Sequence, residues 1–330
     1  MRKFTALVVT ALAAALSLTA CSSGGGTGDA ASSSDTASES SSAGGDGGGL
    51  TIGLAVANLQ ADFFNQIRTS VEAAGKDQGI TIVTADAGGD ADKQVNQIQD
   101  FITQGVDAII YIPAGATAAS VPVRDAHAAG IPVVTVDRNP DGEPGDTFIA
   151  TDSVSAAKAL GEWVVQQTGG KGNLGVIQGQ IGTTPEEARD QGFKEGIAGS
   201  DIVEVARQAS KQWHQDEGFN IAQDMLQAHP DINIIFGRAD ALALGAAQAA
   251  RAGNFTNILI VGFDGDPAGL QAVKDGTLAA TITQPTQAMG RLAVDSAVKL
   301  INGETLPAEQ LQDGVLTTKD NVDQYLAQHP

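Results

Sequence analysis

The sequence predicts an α/β protein made of two doubly wound parallel-sheet lobes. Three observations predict it. From Leu50 onward, short apolar segments of strand length alternate with amphipathic segments of helix length. Gly and Pro fall at the joints, as at Gly79, Gly105, and Gly130 ahead of Pro132. The alternation then restarts near Ser153, and one sheet holding every strand would be unusually wide, so two similar lobes are the economical arrangement. Strands alternating with helices in this way imply right-handed βαβ units.

Each element follows from its own stretch of chain. In the first half, strands are expected at Leu50 to Ala57, Ile80 to Thr84, Ala108 to Ile112, Pro132 to Val136 and, briefly, Ile149 to Thr151. Helices are expected at Asp62 to Gln78, Asp90 to Gln104 and Ala116 to Ala129. In the second half, helices are expected at Ser153 to Gln167, Pro185 to Ala198, His214 to Ala228, Ala239 to Ala252, Pro267 to Lys274 and Thr286 to Ile301. The strands between them are Asn173 to Gln178, Asp201 to Ala206, Ile232 to Phe236, Ile258 to Gly262 and Leu278 to Thr283. The tail, Gly314 to Gln328, reads as a strand and a short helix.

The first 49 residues stand outside this pattern. Arg2 and Lys3 precede an uncharged apolar run from Phe4 to Leu18, as in an export signal. Leu18-Thr19-Ala20-Cys21 resembles a bacterial lipobox, so residues 1–20 are expected to be a signal peptide and Cys21 the lipidated N-terminus. Cys21 is the chain's one cysteine, which excludes an internal disulfide. Residues 22–49 are nearly all Ser, Gly, Ala, Asp, Glu and Thr, a flexible tether from the anchor to the body. After Gly49 no apolar run is long enough to span a bilayer.

Composition removes some function classes. Net charge is −20, or −22 once Arg2 and Lys3 are removed, and the pI is about 4.3. Nucleic acid needs a basic stripe, so it is excluded as a partner. The four histidines, His127, His214, His229 and His329, form no metal spacing, and no run matches a calcium loop. No metal and no cofactor are expected. Gly170-Lys171-Gly172-Asn173-Leu174-Gly175 spells a dinucleotide fingerprint, but it follows a helix and opens a strand, the reverse of what that site requires.

Ligands of open parallel sheets bind beyond the carboxyl ends of the strands. Pro132 to Val136 suits a buried strand, yet Asp137 and Arg138 follow with no gap. Burying both is costly unless something completes their bonding. The other strand ends lead to Gln60, Phe63 and Phe64, to Arg189, to Trp213, to Arg238, Ala239 and Asp240, to Phe263 and Asp264, and to Gln284. Aromatic faces, carboxylates, guanidiniums and a carboxamide suit a sugar, whose C–H faces stack on rings and whose hydroxyls both donate and accept. Asp137 and Asp264 could also form a carboxylate pair for glycoside hydrolysis, which is the enzyme alternative.

These residues lie in motifs that together resemble the ribose-binding type of bacterial periplasmic solute-binding protein, over Leu50 to about Lys319. The motifs are Phe63-Phe64, Val134-Thr135-Val136-Asp137-Arg138, Ala188-Arg189-Asp190-Gln191-Gly192-Phe193, Ala243-Leu244-Gly245-Ala246, Val261-Gly262-Phe263-Asp264-Gly265 and Ala279-Ala280-Thr281-Ile282-Thr283-Gln284. The resemblance implies that Phe63, Phe64 and Phe263 sandwich the sugar ring with Trp213 beside them. It implies hydroxyl contacts from Asp137 and Arg138 in one lobe and from Arg189, Asp264 and Gln284 in the other. Ribose binders of this type carry asparagine where Ala61 and Ala239 stand here. Loss of both amides implies another pentose, a hexose or a linear polyol, with Gln60, Arg238 and Asp240 as compensating neighbours.

The resemblance also implies a type I solute-binding fold with a three-segment hinge. Crossings are expected near Ala150-Thr151, Gln284-Pro285 and Gln312-Gly314. The lobes would then be residues 50–150 with 285–312, and 151–284 with 313–330. The implied function is capture of a sugar or polyol by a monomer, non-enzymatic, lipid-anchored through Cys21 at the cell envelope and handing its ligand to the permease of an ABC importer. A sensory lipoprotein that presents ligand to a membrane receptor would use the same binding chemistry. A sugar-responsive repressor would need an N-terminal helix-turn-helix, where this chain has a lipobox and tether.

Overall fold

The computed structural model describes residues 49–116 and 118–327; Cys21, with the expected signal peptide and nearly all of the tether, lies outside the described residues, as does His329. In chain order the first elements are β1 (Thr51–Val56), α1 (Asp62–Asp77), β2 (Thr81–Asp86), α2 (Ala91–Gln104), β3 (Ala108–Tyr111), α3 (Ser120–Ala128), β4 (Val133–Val136) and β5 (Thr147–Thr151). There follow α4 (Ser153–Thr168), β6 (Lys171–Gln178), α5 (Thr184–Ile197), β7 (Asp201–Ala209), α6 (Gln215–Ala228), β8 (Ile234–Gly237) and α7 (Asp240–Ala252). The chain ends with β9 (Leu259–Val261), α8 (Pro267–Asp275), β10 (Ala280–Thr283), α9 (Thr286–Ile301), β11 (Glu309–Gln312), β12 (Val315–Thr318) and α10 (Val322–Leu326).

The strands form two six-stranded sheets, ordered β11-β5-β4-β3-β1-β2 and β12-β10-β9-β8-β6-β7. All pairings are parallel except that of β12 with β10. Apart from the edge strands β11 and β12, both sheets follow one winding order, which reverses between β1 and β3 and again between β6 and β8. A ligand crevice opens at the carboxyl ends of strands at such a reversal. The chain passes between sheets three times: from β5 towards β6, from β10 towards β11, and from β11 to β12.

Local chemistry accounts for the elements. The central strands β3, β4, β8 and β10 are buried at every position, as expected when helices cover both faces of a parallel sheet. Asp90 caps α2 by accepting from the Lys93 N–H (3.0 Å), and Gly105 ends it in the left-handed conformation. Asp152 caps α4 in the same way through Ser155. Helices α4 and α5 lie unusually close, because a Cβ at Gly192 would collide with the Val154 carbonyl and one at Gly196 with the Lys158 carbonyl. Phe193 then stacks on Phe236 with centroids 4.4 Å apart, fixing α5 over the second sheet. Among the described residues no helix is long and apolar enough to cross a membrane.

Some boundaries differ from the sequence reading. Helix α3 starts at Ser120 rather than Ala116, after a segment held by Gln94, as described below. Strand β7 runs three residues further than expected, to Ala209. Strand β11 was not anticipated: Glu-Gln-Leu-Gln has no apolar run, and its pairing with β5 is what makes it a strand.

Candidate functional site

A cavity of about 280 Å³ lies between the carboxyl ends of the two sheets. Its first wall is Gln60, Ala61, Asp62, Phe63, Phe64, Asp137 and Arg138; its second includes Pro185, Arg189, Trp213, His214, Gln215, Ala239, Asp240, Asp264 and Asp266. That volume falls just below the roughly 300–1,000 Å³ of drug-sized pockets, so it suits a small ligand. Of the candidate residues, Phe263 and Gln284 do not line it, and neither does the compensating neighbour Arg238.

The two lobes touch around the cavity. The Asn58 amide meets the His214 imidazole (3.2 Å), Gln66 Nε2 donates to Asp266 Oδ1 (3.4 Å), and the Asn139 N–H donates to Thr184 Oγ1 (3.0 Å). The cavity is therefore that of a cleft with its lobes together.

Arg138 is seated first. Its Nη1 donates to the Pro113 carbonyl (2.9 Å), and its guanidinium lies 5.2 Å from the Phe64 ring centre. The fully buried amide of Gln94 holds that segment, donating to the Ile112 carbonyl (2.8 Å) and accepting from the Ala114 N–H (2.7 Å). Asp137 Oδ2 sits 3.5 Å from Arg138 Nε. Burial pushes the Asp137 carboxyl up and lowers the Arg138 guanidinium, while each counters the shift of the other.

Arg189 is seated from α5. Its guanidinium lies 4.0 Å from the Phe263 ring centre and 5.5 Å from that of Trp213. Its Nη1 donates to the Arg238 carbonyl and is 3.3 Å from Asp264 Oδ1. Gln284 Nε2 holds the same Asp264 oxygen (2.8 Å). Phe263 is thus a platform beneath Arg189, and Gln284 a brace behind Asp264; neither is among the residues that line the cavity. Burial pushes Asp264 up to about 8, with Arg189 opposing and Asp240 and Asp137 reinforcing.

Arg238 and Asp240 are also committed to the protein. Arg238 is 1% exposed and donates to Glu186 Oε1 (2.9 Å) and to Asp190. Glu186, itself buried, also accepts from the Gly179 N–H (2.8 Å) and Gln178 Nε2 (2.9 Å). Asp240 accepts from Thr281 Oγ1 (2.6 Å) and from the Gly265 and Asp266 N–H groups (2.8 and 3.0 Å). Burial pushes its carboxyl up to about 6 against those three bonds. Neither residue is free to replace the amides absent at Ala61 and Ala239, which present methyl groups to the cavity.

Strain marks the same place. Five described non-glycine residues have positive φ: Asn254, Asn257, Asp137 (64°), Trp213 (65°) and Asp264 (139°). Asparagine and aspartate adopt it more readily than most residues and tryptophan does not; Asp137, Trp213 and Asp264 all line the cavity. Such conformations cost roughly 1–3 kcal/mol each and persist where the surroundings impose them. Trp213 lies flat on Gly179, where any Cβ would fall inside the indole.

The buried Arg189 Nε and Trp213 indole N–H lack a protein partner, and Arg138 Nε has only Asp137 Oδ2 at 3.5 Å. These three side chains line the cavity; Arg238 Nε, also unmet, does not. A guanidinium only donates, so what completes these groups must carry acceptor oxygens. The sequence reading missed Gln94 and Glu186, whose signals are diffuse. It also missed the lining residues Asp62 and Asp266, each within two positions of a residue it had chosen.

Residues 52–305 match the family described as the periplasmic binding protein domain. The chain is 33% identical over 254 residues to the ribose import binding protein RbsB of Bacillus subtilis, covering 77% of this chain and 82% of that one. It is 30% identical over 275 residues to a xylitol-binding protein of Mycolicibacterium smegmatis, covering 82% of this chain and 78% of that one. A solved ABC transporter solute-binding protein from Bacillus halodurans with bound myo-inositol superposes with a TM-score of 0.80 at 28% identity, covering 86% and 99% of the two chains.

Proposed function

This chain belongs to the periplasmic binding protein domain family, and from that membership we propose that it captures a pentose, related sugar or polyol between its lobes and delivers it to an ABC importer. One observation carries the reading: two guanidiniums, Arg138 and Arg189, lie more than nine-tenths buried in a small aromatic-walled cavity, and the Arg189 Nε–H has no protein partner. The named relatives are a ribose import binding protein and a xylitol-binding protein.

Phe63, Phe64 and Trp213 supply the apolar faces, and Asp137, Arg138, Arg189 and Asp264 the hydroxyl contacts. Gln60 stands at the exposed rim. Ala61 and Ala239 withhold two amides, which directs the site towards a ligand other than ribose. The lobes hinge at the three passages between the sheets, near residues 150–152, 284–285 and 312–314, and closure buries the ligand. The protein works as a monomer outside the cytoplasm, anchored through a lipid on Cys21.

A thermal-shift screen of the full-length chain against pentoses, hexoses and polyols tests this. A ligand that binds the folded state alone raises the melting temperature by mass action. Arg138→Ala abolishes the rise for the ligand that produces it. Absence of any rise at millimolar concentration would refute carbohydrate capture.

A further inference from the structure

Five carboxylates line the cavity, against two guanidiniums. Three of the five are answered. Asp137 has Arg138, Asp264 has Arg189, and Asp240 has its three hydrogen-bond donors. Asp62 and Asp266 are not: among the described residues neither takes part in an ion pair, and the one side-chain donor on Asp266 is the neutral amide of Gln66. That amide is itself fixed, since Gln66 Oε1 accepts from Thr286 Oγ1 (2.7 Å).

Asp62 opens α1 in the first lobe, and Asp266 stands before Pro267 at the start of α8 in the second. With the lobes together the Asp62 charge adds to those of Asp264 and Asp240 in raising Asp266, whose first cause is burial. Burial and the neighbouring carboxylates thus disfavour a charge on Asp266 while the cleft is closed and empty. A cation beside it reverses that preference. Among the described residues no group of three or more His, Cys, Asp or Glu side chains is placed to hold a metal ion; a cationic group on the ligand supplies the charge instead.

The buried arginines point independently to the rest of that ligand. Arg138 is 6% exposed and Arg189 3%, both line this cavity, and the Arg189 Nε–H lacks a partner while that of Arg138 has only Asp137 Oδ2 at 3.5 Å. They require acceptor oxygens, as hydroxyls and ring oxygens supply. We infer that the ligand is an amino-substituted sugar or aminopolyol, with its hydroxyls on Arg138 and Arg189 and its ammonium between Asp62 and Asp266. This rests on the polyol reading above and narrows it.

Calorimetric titration of the full-length chain at pH 7 tests it with matched pairs: glucose and glucosamine, xylitol and 1-amino-1-deoxyxylitol, myo-inositol and an aminodeoxyinositol. In at least one pair the amine binds about tenfold tighter or better, the scale of a charge-assisted contact. Asp266→Asn and the more exposed Asp62→Asn each cut that ratio to about threefold or less. Neutral members binding as tightly as their amines in every pair, or a ratio unmoved in both variants, overturns the inference and leaves polyol capture standing. Silence of both members in all pairs overturns the two together.

Discussion

The Arg189 guanidinium rests 4.0 Å from the centre of the Phe263 ring, and Phe263 has no exposed surface. The aromatic side chain therefore acts on the cavity through the arginine it carries. A cation over a desolvated ring is worth up to about 2 kcal/mol, and the same ring fills the core between β9 and α4.

Phe263→Ala removes both contributions. It is expected to cost about 3–5 kcal/mol of stability in urea unfolding, the range for a buried Phe. Phe263→Leu keeps much of the packing but loses the ring, so it should lower ligand affinity by more than its effect on stability suggests. Equal affinity in Phe263→Leu and the parent would refute the platform role.

Arg238 holds Glu186 and Asp190 while presenting its carbonyl to Arg189. Arg238→Met strands the buried Glu186 carboxylate, and breaking such a pair costs about 3–5 kcal/mol. Arg238→Met with Glu186→Gln should recover part of that loss, because the stranded charge is gone. The two urea midpoints decide it.

Gly179 lies against the face of Trp213. Gly179→Ala must displace the indole from the cavity wall. We expect a modest change in melting temperature and a large loss of ligand-induced shift, with Trp163, the second tryptophan, as an unaffected reference in fluorescence.

Stability should depend on pH in a stated direction. Burial raises Asp264 to about 8 and Asp240 to about 6, above the roughly 3.9 of an unfolded aspartate. Groups raised on folding contribute stability that is complete below the unfolded value and is lost as pH climbs through the folded one. Asp190 is shifted the other way by its bonds to Lys194, Arg207 and Arg238, against burial, so its contribution is constant above about pH 5. The empty protein is therefore expected to melt at progressively lower temperature from pH 5 to pH 8, and Asp264→Asn to flatten that slope. A parent slope that Asp264→Asn leaves unchanged would contradict the assignment.

Most of the fold was legible because parallel strands covered on both faces must be continuously apolar, and Ala108–Tyr111 and Val133–Val136 are. The charged pair Asp137-Arg138 stood out for the same reason, since a charge at the end of such a strand has no place in a core, and both residues line the cavity. Strand β11 was not, because Glu309–Gln312 takes its conformation from β5 rather than from its own residues. That Phe263 and Gln284 contact Arg189 and Asp264 behind the cavity lining was not legible, because sequence marks the strand end they follow but not which way the side chain turns there.

What the sequence determined alone was periodicity: the alternation of elements, the repetition of the pattern and the chemical types gathered at strand ends. Those follow from local propensity and from which segments must avoid water. Tertiary structure decided which polar groups already have partners. It spent Glu186 and Asp240 on the protein, left the buried Arg189 Nε–H unmet, and placed Asp62 and Asp266 on opposite walls of one cavity. Hydrogen-bond satisfaction is settled by distance and direction between residues remote in the chain, so it exists only once the lobes have folded and met.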